Sequence, residues 1–458
     1  MDRPTARTVS VAGDRDTPVR SELAQLLKLA GPVVLARLGV MAMGLSDAVV
    51  VGRFSATQLG YHALGWAPTN VVVTMVIGLL SGVQVMTARA VGDGRRHEAG
   101  AVLRRGLVYA FWIGLAATGA LVLAGPAFLH AAGLRRDLAD GASPPLLVFA
   151  LSATPYALSI AVSFWLEGLS RPGPAAWAMW GANAVNLAVD LLLVPGTWGL
   201  PALGAVGGAW ATLCARTALC LFMLAYVARM PEARGLGVFA RPPRDRAAEA
   251  EQRRIGFGAG LSNVFEVAAF NSLNFIAGWI GALVVAGWAI VLNVTGVIFM
   301  VPLGLAAAAA VRVGRAYGAR DPAAMRRAAA VAFGVTVAYG LAVSLAVWPT
   351  AGAIVRVYTS DPRVLAMAGT SLALAGLMFL PDALQVVTAQ ALRARGDVWP
   401  PSAAHLTSYI LIMAPLAWFL GARLGLGLTG MVWAAIAASL VSCGLLTARF
   451  WALSRRGA

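Results

Sequence analysis

Four carboxylic acids lie inside long apolar stretches of the sequence. Asp47 and Asp190 occur at similar depths in two of these stretches, and Glu266 and Asp382 lie deep in two others. At the centre of a membrane a charged side chain costs at least ~2.5 to 3.5 kcal/mol on insertion scales, so each acid requires a partner, water or a function. Groups of this kind can bind and release a proton or another small cation.

The first pair of acids is expected to share a site with two other polar residues. Asn186 and Asp190 are four residues apart and therefore share a face of one helix. Thr212, in the following apolar stretch, reaches a comparable depth. We expect Asp47, Asn186, Asp190 and Thr212 to converge. Desolvation and repulsion between the two carboxylates favour the binding of one proton near neutral pH.

The second pair predicts a separate cation site. Glu266 and Asp382 supply two carboxylates, and Asn263 and Asn293 offer further oxygen atoms. Oxygen ligands of this type suit a hard cation such as Na⁺. The metal expected at Glu266 and Asp382, if there is one, is therefore Na⁺.

An alternative is that these acids are structural, with Asp47 or Asp190 neutralised by the embedded Arg37 or Arg216. Two arginines cannot neutralise four acids, so this reading does not cover the whole set. By contrast, Glu167 lies at the end of its stretch near Arg171, which favours a solvated structural role. The histidines, including His62 near an outer boundary, are expected to be ordinary.

The elements that carry these residues are membrane-spanning helices. Of 458 residues, 59% are hydrophobic and 12% are charged, and the mean hydropathy is +0.75. Apolar runs of ~20 residues, long enough to cross a ~30 Å hydrocarbon core, follow one another along the chain. We predict an all-α polytopic protein with spans at 27–50, 64–88, 103–126, 144–167, 174–196, 203–228, 254–279, 281–311, 328–350, 364–392, 401–422 and 426–450.

Basic residues predict the orientation of these spans. Of the 36 Lys and Arg, 28 fall on the side of both termini and 6 on the other side. The positive-inside rule then places both termini in the cytoplasm, which in a bacterial cell corresponds to the inner membrane. The basic residues are spread over many short loops, so the net charge of +16 does not indicate nucleic-acid binding.

The chain also repeats itself at a single offset of 226 residues. Arg89 matches Arg315, and Pro174 matches Pro400. Each repeat holds six spans, which predicts two pseudo-symmetric six-helix bundles. We assign 1–20 to a disordered cytoplasmic tail, 21–230 to an N-lobe, 231–253 to a cytoplasmic linker and 254–458 to a C-lobe. No embedded acid is duplicated, so the lobes share a fold and differ in chemistry.

Several segments resemble the multidrug and toxic compound extrusion (MATE) family. The resemblance runs nearly end to end, and its strongest parts are LKLAGPVVLARLGVMAMGLSDAVVVGRF, GANAVNLAVDLLLVPG and PDALQVVTAQALRARGD. It implies a proton or cation site at Asp47, Asn186, Asp190 and Thr212, and a cation site at Glu266 and Asp382. Departures are Trp288 and Ala289, where members often have His-Gln, and Arg37 with Val40 where a glutamine is common.

The resemblance implies a secondary antiporter that exports bulky amphipathic, often cationic, drugs in exchange for H⁺ or Na⁺. No GxxxxGK[ST] motif occurs, so a gradient must supply the energy. The expected partners are drug-like small molecules and membrane lipids, with no nucleic acid and no cofactor, and the chain is expected to be a monomer. Two alternatives are a lipid or cell-envelope precursor flippase of the same superfamily and an intramembrane enzyme. We expect no enzyme, because the spans hold no metal-ligand cluster or nucleophile–base pair.

Overall fold

The computed structural model describes residues 19–132, 135–240 and 245–456, and these ranges are helical with short connections and no strand. The predicted tail at 1–20 lies outside the described residues except for its last two, which begin the first helix. The N-lobe contains α1 (Val19–Phe54), α2 (Ala56–Gly92), α3 (Ala99–Ala131), α4 (Arg136–Leu151), α5 (Ala153–Gly168), α6 (Gly173–Leu193) and α7 (Ala205–Arg229). The C-lobe contains α8 (Arg246–Ile280), α9 (Ala282–Gly318), α10 (Pro322–Tyr358), α11 (Pro362–Ala394), α12 (Trp399–Arg423) and α13 (Gly427–Arg456).

This arrangement confirms the predicted all-α polytopic fold. Ten of the described helices are long and apolar enough to cross a membrane, and α4 with α5, bent by 40°, forms an eleventh crossing. The remaining predicted crossing is α8, which is 35 residues long but carries Asn263, Glu266 and Asn271. α8 is the helix that carries Asn263 and Glu266 of the second candidate site, and these polar residues lower its hydropathy. The helix also begins at Arg246, inside the stretch assigned to the linker.

Each lobe has its own apolar core. In the N-lobe, buried residues of α2, α3 and α5 surround Trp165, whose indole N–H donates to the Ala99 carbonyl at 2.8 Å. In the C-lobe one cluster surrounds Trp288 and Tyr409, and a second lies toward the chain termini. Leu26 and Leu29 of α1 belong to this second cluster, so the start of α1 packs against the opposite lobe.

Small residues allow the lobes to touch closely near the ends that carry the termini. Any Cβ on Gly82 would collide with the Gln252 backbone oxygen, and one on Gly256 would collide with Leu79. The equivalent contact of α9 with α1 needs Gly304, whose added Cβ would meet Val34. Among the residues that the structure describes, hydrogen bonds between the lobes join α1 with α9, α2 with α8 and α11, α3 with α8, and α5 with α9. All of these except the bond between Asn263 and Thr74, at the middle of α8 and α2, lie near the end of the bundle that carries the termini. The lobes therefore meet at one side of the protein.

Two arginines related by the 226-residue offset join the lobes at this side. Arg89 of α2 donates from Nε to the Ala394 carbonyl at 3.0 Å, at the end of α11. Arg315 of α9 donates to the Gly168 carbonyl at 3.4 Å, at the end of α5. The carbonyls at a helix C-terminus lack intrahelical partners and carry partial negative charge, so a guanidinium group there is stabilising. Each lobe thus caps a helix of the other.

Candidate functional site

The N-lobe site forms where α1, α6 and α7 meet. The Asp47 carboxylate accepts a hydrogen bond from Asn186 Nδ2 at 2.8 Å and another from Thr212 Oγ1 at 2.8 Å. The Asn186 amide oxygen in turn accepts from Ser46 Oγ at 3.0 Å. Asp47, Asn186 and Thr212 are all buried. The structure therefore brings these three predicted residues together, with Asp47 as the central acceptor.

Asp190 lies beside this network and differs from Asp47 in its surroundings. It is fully buried, one helical turn beyond Asn186, and close enough to interact electrostatically with Asp47. Its carboxylate oxygens accept no hydrogen bond from a donor group in the described part of the chain, and the neighbouring polar group is the carboxyl of Asp47, within hydrogen-bonding reach. A buried carboxylate without partners is costly in its charged form, whereas its protonated form removes that cost. Asp190 is thus the member of the pair best suited to carry an exchangeable proton.

His62 is a member of this site that the sequence argument missed. Its Nε2 lies 3.9 Å from the Asp47 carboxylate, and its ring packs edge-on against Phe149 at 5.1 Å. The side chain is buried, although it had been expected to be an ordinary residue near the boundary. Asp47 and His62 are separated from the turn at Ser55 by similar numbers of residues, one on α1 and the other on α2. This spacing along the sequence could have indicated that the two side chains lie at the same depth.

The arginines do not neutralise the acids in the simple way that the structural alternative requires. Arg216 is close enough to interact electrostatically with Asp47, yet it forms no ion pair with a carboxylate in the described ranges. Arg37 faces Glu167 instead, and both line a small cavity of the N-lobe.

The solvated role expected for Glu167 is wrong. The side chain is buried and accepts a 2.5 Å hydrogen bond from Gln84 Nε2, while Arg171 pairs with Glu232 at 2.7 Å. Glu167 does lie near the end of its helix, because α5 ends at Gly168. It is nevertheless shielded from solvent by the neighbouring α2, which supplies Gln84.

The C-lobe site is built around Asp382 on α11. Its Oδ1 accepts hydrogen bonds from Tyr409 at 3.3 Å and from Ser439 at 3.4 Å. Gln385 donates to the Tyr409 hydroxyl at 3.1 Å, so that hydroxyl is both an acceptor and a donor. Tyr409, Gln385 and Ser439 were not predicted, because hydroxyl and amide groups within apolar helices are common and only their convergence marks a site.

Tyr409 is placed by an irregular part of α12. Residues Leu406–Met413 are wound as a π-helix, in which the Ala414 N–H bonds to the Tyr409 carbonyl. π-helical turns change the direction of side chains and occur frequently at functional sites. Here the turn contains both Tyr409 and Ser408, the latter with a buried hydroxyl that has no partner among the described residues.

The other predicted C-lobe residues are only partly assembled. Glu266 is half-buried and interacts electrostatically with Asp382 and with Arg393 of α11. Asn263 donates to the Thr74 carbonyl of the N-lobe at 3.4 Å, and the exposed Asn293 accepts from Tyr358 at 2.8 Å. Glu266 and Asp382 thus form the acidic pair, and Asn293 bonds at the end of α10 instead. No group of three or more His, Cys, Asp or Glu able to hold a metal occurs in the described ranges.

Comparisons with known proteins identify the family of the chain. A family model described as MatE matches residues 32–192 and 259–419, two segments of equal length that follow the internal repeat. The probable multidrug resistance protein NorM of Caulobacter vibrioides is 58% identical over 100% of this chain and 97% of its own length. Multidrug resistance protein PmpM of Pseudomonas aeruginosa is 30% identical over 89% of this chain and 86% of its own.

Solved structures show the same fold at low sequence identity. A multidrug resistance MATE family transporter in an outward-facing conformation matches with a TM-score of 0.86 and 20% identity, covering 94% of this chain and 96% of that one. The eukaryotic MATE transporter AtDTX14 matches with a TM-score of 0.85 and 18% identity, covering 96% and 98%. Both matches extend over the two lobes.

Proposed function

The chain belongs to the MATE family of multidrug efflux transporters, and on this basis we propose that it is an antiporter that exports bulky amphipathic, often cationic, drugs in exchange for inward H⁺ or Na⁺. The observation that carries the proposal is the pair of acidic sites within the helical bundles, one in each lobe: Asp47 and Asp190 are buried, and Glu266 and Asp382 are half-buried. Acids at this depth are costly to retain unless they serve an ion pathway. The unpartnered Asp190 and the Asp382–Glu266 pair are the groups that would load and unload the ion.

The contacts between the lobes support a transport cycle by alternating access. In the ranges that the structure describes, most of the hydrogen bonds between the lobes lie near the end of the bundle that carries the termini, among them those of Arg89, Arg312 and Arg315. The distribution of the basic residues supports a cytoplasmic location for that side. With this orientation the conformation is closed to the cytoplasm, and the two lobes can rock about their interface.

Coupling requires only that the ion and the drug bind the two conformations with different affinities. Protonation or Na⁺ binding at the acids neutralises buried charge and favours one arrangement of the lobes, and drug binding favours the other. Each cation that moves inward gains ~2.3 kcal/mol per 100 mV of membrane potential. We expect the transporter to act as a monomer in a bacterial inner membrane with both termini in the cytoplasm, and to need no cofactor.

The experiment that tests this function compares amide variants of the acids. Asp382→Asn and Glu266→Gln should abolish ion-driven dye efflux from reconstituted vesicles while the purified proteins keep their helical content. Asp137→Asn is the matched control, because Asp137 is exposed and its ion pair among the described residues is with the neighbouring Arg135 at 2.7 Å. Efflux at the wild-type rate in Asp382→Asn and Glu266→Gln would refute an ion-coupling role for the C-lobe pair.

A further inference from the structure

Arg216 has an unusual environment for a buried charge. Its side chain is only 4% exposed, and its guanidinium carbon lies 4.1 Å from the Tyr156 ring centroid and 5.0 Å from that of Trp66. Nη1 donates to Ser152 Oγ at 2.9 Å, and Nε has no partner among the described residues. The two aromatic faces hold the cation in place without removing its charge.

The titratable groups around this guanidinium and its acids come from four helices. Asp47 of α1 interacts with it electrostatically, Asp190 of α6 lies beside Asp47, and His62 of α2 is 3.9 Å from Asp47. On α5 the facing group is the neutral Tyr156. With His62 neutral, two ionised carboxylates and one arginine sum to a charge of −1. A single proton on the acids is then enough to make the site neutral.

The internal repeat shows what the C-lobe has instead. The offset of 226 aligns Arg216 with Ser442 and Tyr156 with Asp382. In the C-lobe, Ser442 therefore takes the position of Arg216, and the carboxylate of Asp382 takes the position of the Tyr156 ring. Ser442 is fully buried and its hydroxyl has no partner in the described part of the chain. At this level the C-lobe has a carboxylate with no arginine at the position equivalent to Arg216, and its buried arginine, Arg393, interacts with Glu266 instead.

We propose that Arg216 is a resident counter-cation that determines ion specificity, closing the N-lobe acids to Na⁺ and leaving them with one exchangeable proton. The proposal rests on the antiport function proposed above, and it assigns the proton to the N-lobe site. One Na⁺ or one H⁺ would each neutralise the two ionised acids and Arg216, so net charge alone does not distinguish the ions. A metal ion at Asp47 and Asp190 would, however, place a second full positive charge beside the Arg216 guanidinium, which repels it. It would also need several oxygen ligands, whereas both Asp47 oxygens already accept hydrogen bonds from Asn186 and Thr212. A proton needs only one oxygen.

Removing the resident charge should open the N-lobe to Na⁺. The test measures equilibrium binding of radioactive ²²Na⁺ to the purified full-length protein at a pH above neutrality. Arg216→Gln should bind about one more Na⁺ per chain than the wild type, and Arg216→Gln/Asp190→Asn should lose that extra ion. Arg216→Lys keeps the charge and should bind as the wild type does. Thermal unfolding of each variant establishes that it is folded.

A second measurement uses the wild-type protein and so does not depend on the folding of a variant. Dicyclohexylcarbodiimide reacts with protonated carboxylic acids in membranes, and mass spectrometry locates the modified residue. Modification of Asp190 should fall as the pH rises and should not change when Na⁺ replaces choline in the medium.

Protection of wild-type Asp190 by Na⁺ would overturn the proposal, as would a folded Arg216→Gln protein with no additional Na⁺. Either result could coexist with ion-driven drug efflux by the wild type, so this inference can fail while the antiport function stands. Conversely, absence of any ion-driven efflux would contradict the proposed function and would leave the binding result unchanged.

Discussion

Removal of the two arginines that bridge the lobes should shift the protein toward its cytoplasm-open state. Arg89 donates to Ala394 at 3.0 Å, to Arg393 at 3.3 Å and to Glu251 at 3.2 Å, and Arg315 donates to Gly168 at 3.4 Å. A hydrogen bond to a charged group contributes about 1.5 to 3 kcal/mol when it is well formed and buried. These contacts are only partly buried and several are long, so we assign about 1 kcal/mol to each arginine.

This magnitude gives a measurable change in population. A loss of about 1 kcal/mol shifts the equilibrium between the two states about fivefold, and two independent losses shift it about thirtyfold. The effect acts on the lobe interface because both arginines reach carbonyls of the opposite lobe. The Arg89→Gln/Arg315→Gln double variant should therefore show a larger shift than either single variant.

Spin labels at the C-terminal ends of α2 and α9, on the side proposed to be cytoplasmic, report this equilibrium by pulsed electron paramagnetic resonance in lipid nanodiscs. The matched control is Arg95→Gln, because Arg95 is exposed and its ion pairs within the described residues are with Asp93 and Glu98, nearby in sequence. The double variant should show a new, longer distance, and the control should reproduce the wild type. An unchanged distance distribution in the double variant would refute the reasoning that these contacts hold the cytoplasmic side closed.

Three further predictions concern packing, the N-lobe acids and pH. Gly82→Ala should lower the melting temperature, since its Cβ would collide with the backbone of α8. The control Gly44→Ala has open space around the added Cβ and should be neutral or stabilising by about 0.5 to 1 kcal/mol. Equal effects of the two variants in thermal unfolding would contradict the close approach of α2 and α8. Asp47→Asn should destabilise the protein by about 1 to 3 kcal/mol, because the amide group cannot accept the hydrogen bonds of both Asn186 and Thr212. Asp190→Asn should preserve the melting temperature and abolish the pH dependence of drug binding in fluorescence titrations. Burial opposes the ionisation of Glu251, but hydrogen bonds and charges from Arg254 and Arg89 outweigh it and lower the pKa of this carboxyl. The contribution of Glu251 to lobe closure is therefore full above the ordinary pKa of a glutamate and is lost as the pH falls through the lowered value. Glu251→Gln should remove this acid-induced opening in the spin-label assay, and an identical acid response in the variant would exclude Glu251 as its source.

The fold was predictable because membrane insertion imposes length and composition on each helix. The apolar runs predicted the ten long apolar helices and the bent pair of α4 and α5, and the offset that pairs Arg89 with Arg315 predicted the two lobes. The crossing at 144–167 appeared as one span, whereas the structure breaks it into α4 and α5 near Ser152. Hydropathy averages over a window, so it cannot register a change of direction within an apolar segment.

The N-lobe site was more predictable than the C-lobe site for a geometric reason. Asn186 and Asp190 lie four residues apart on one helix, so their shared face follows from helical periodicity alone. In the C-lobe, the partners of Asp382 come from α12 and α13, and a π-helical turn sets the direction of Tyr409. The sequence offered no signal for that turn, and it assigned Asn293 to a site from which it is turned away.

The central claim is that a cation gradient, acting through these buried acids, drives drug export. The most direct test measures dye accumulation in inverted membrane vesicles while proton and sodium gradients are imposed separately at fixed membrane potential. Our account predicts accumulation driven by at least one of the two gradients, with no accumulation in vesicles carrying Asp190→Asn together with Asp382→Asn. Equal accumulation without either gradient, or full accumulation by that double variant, would contradict it.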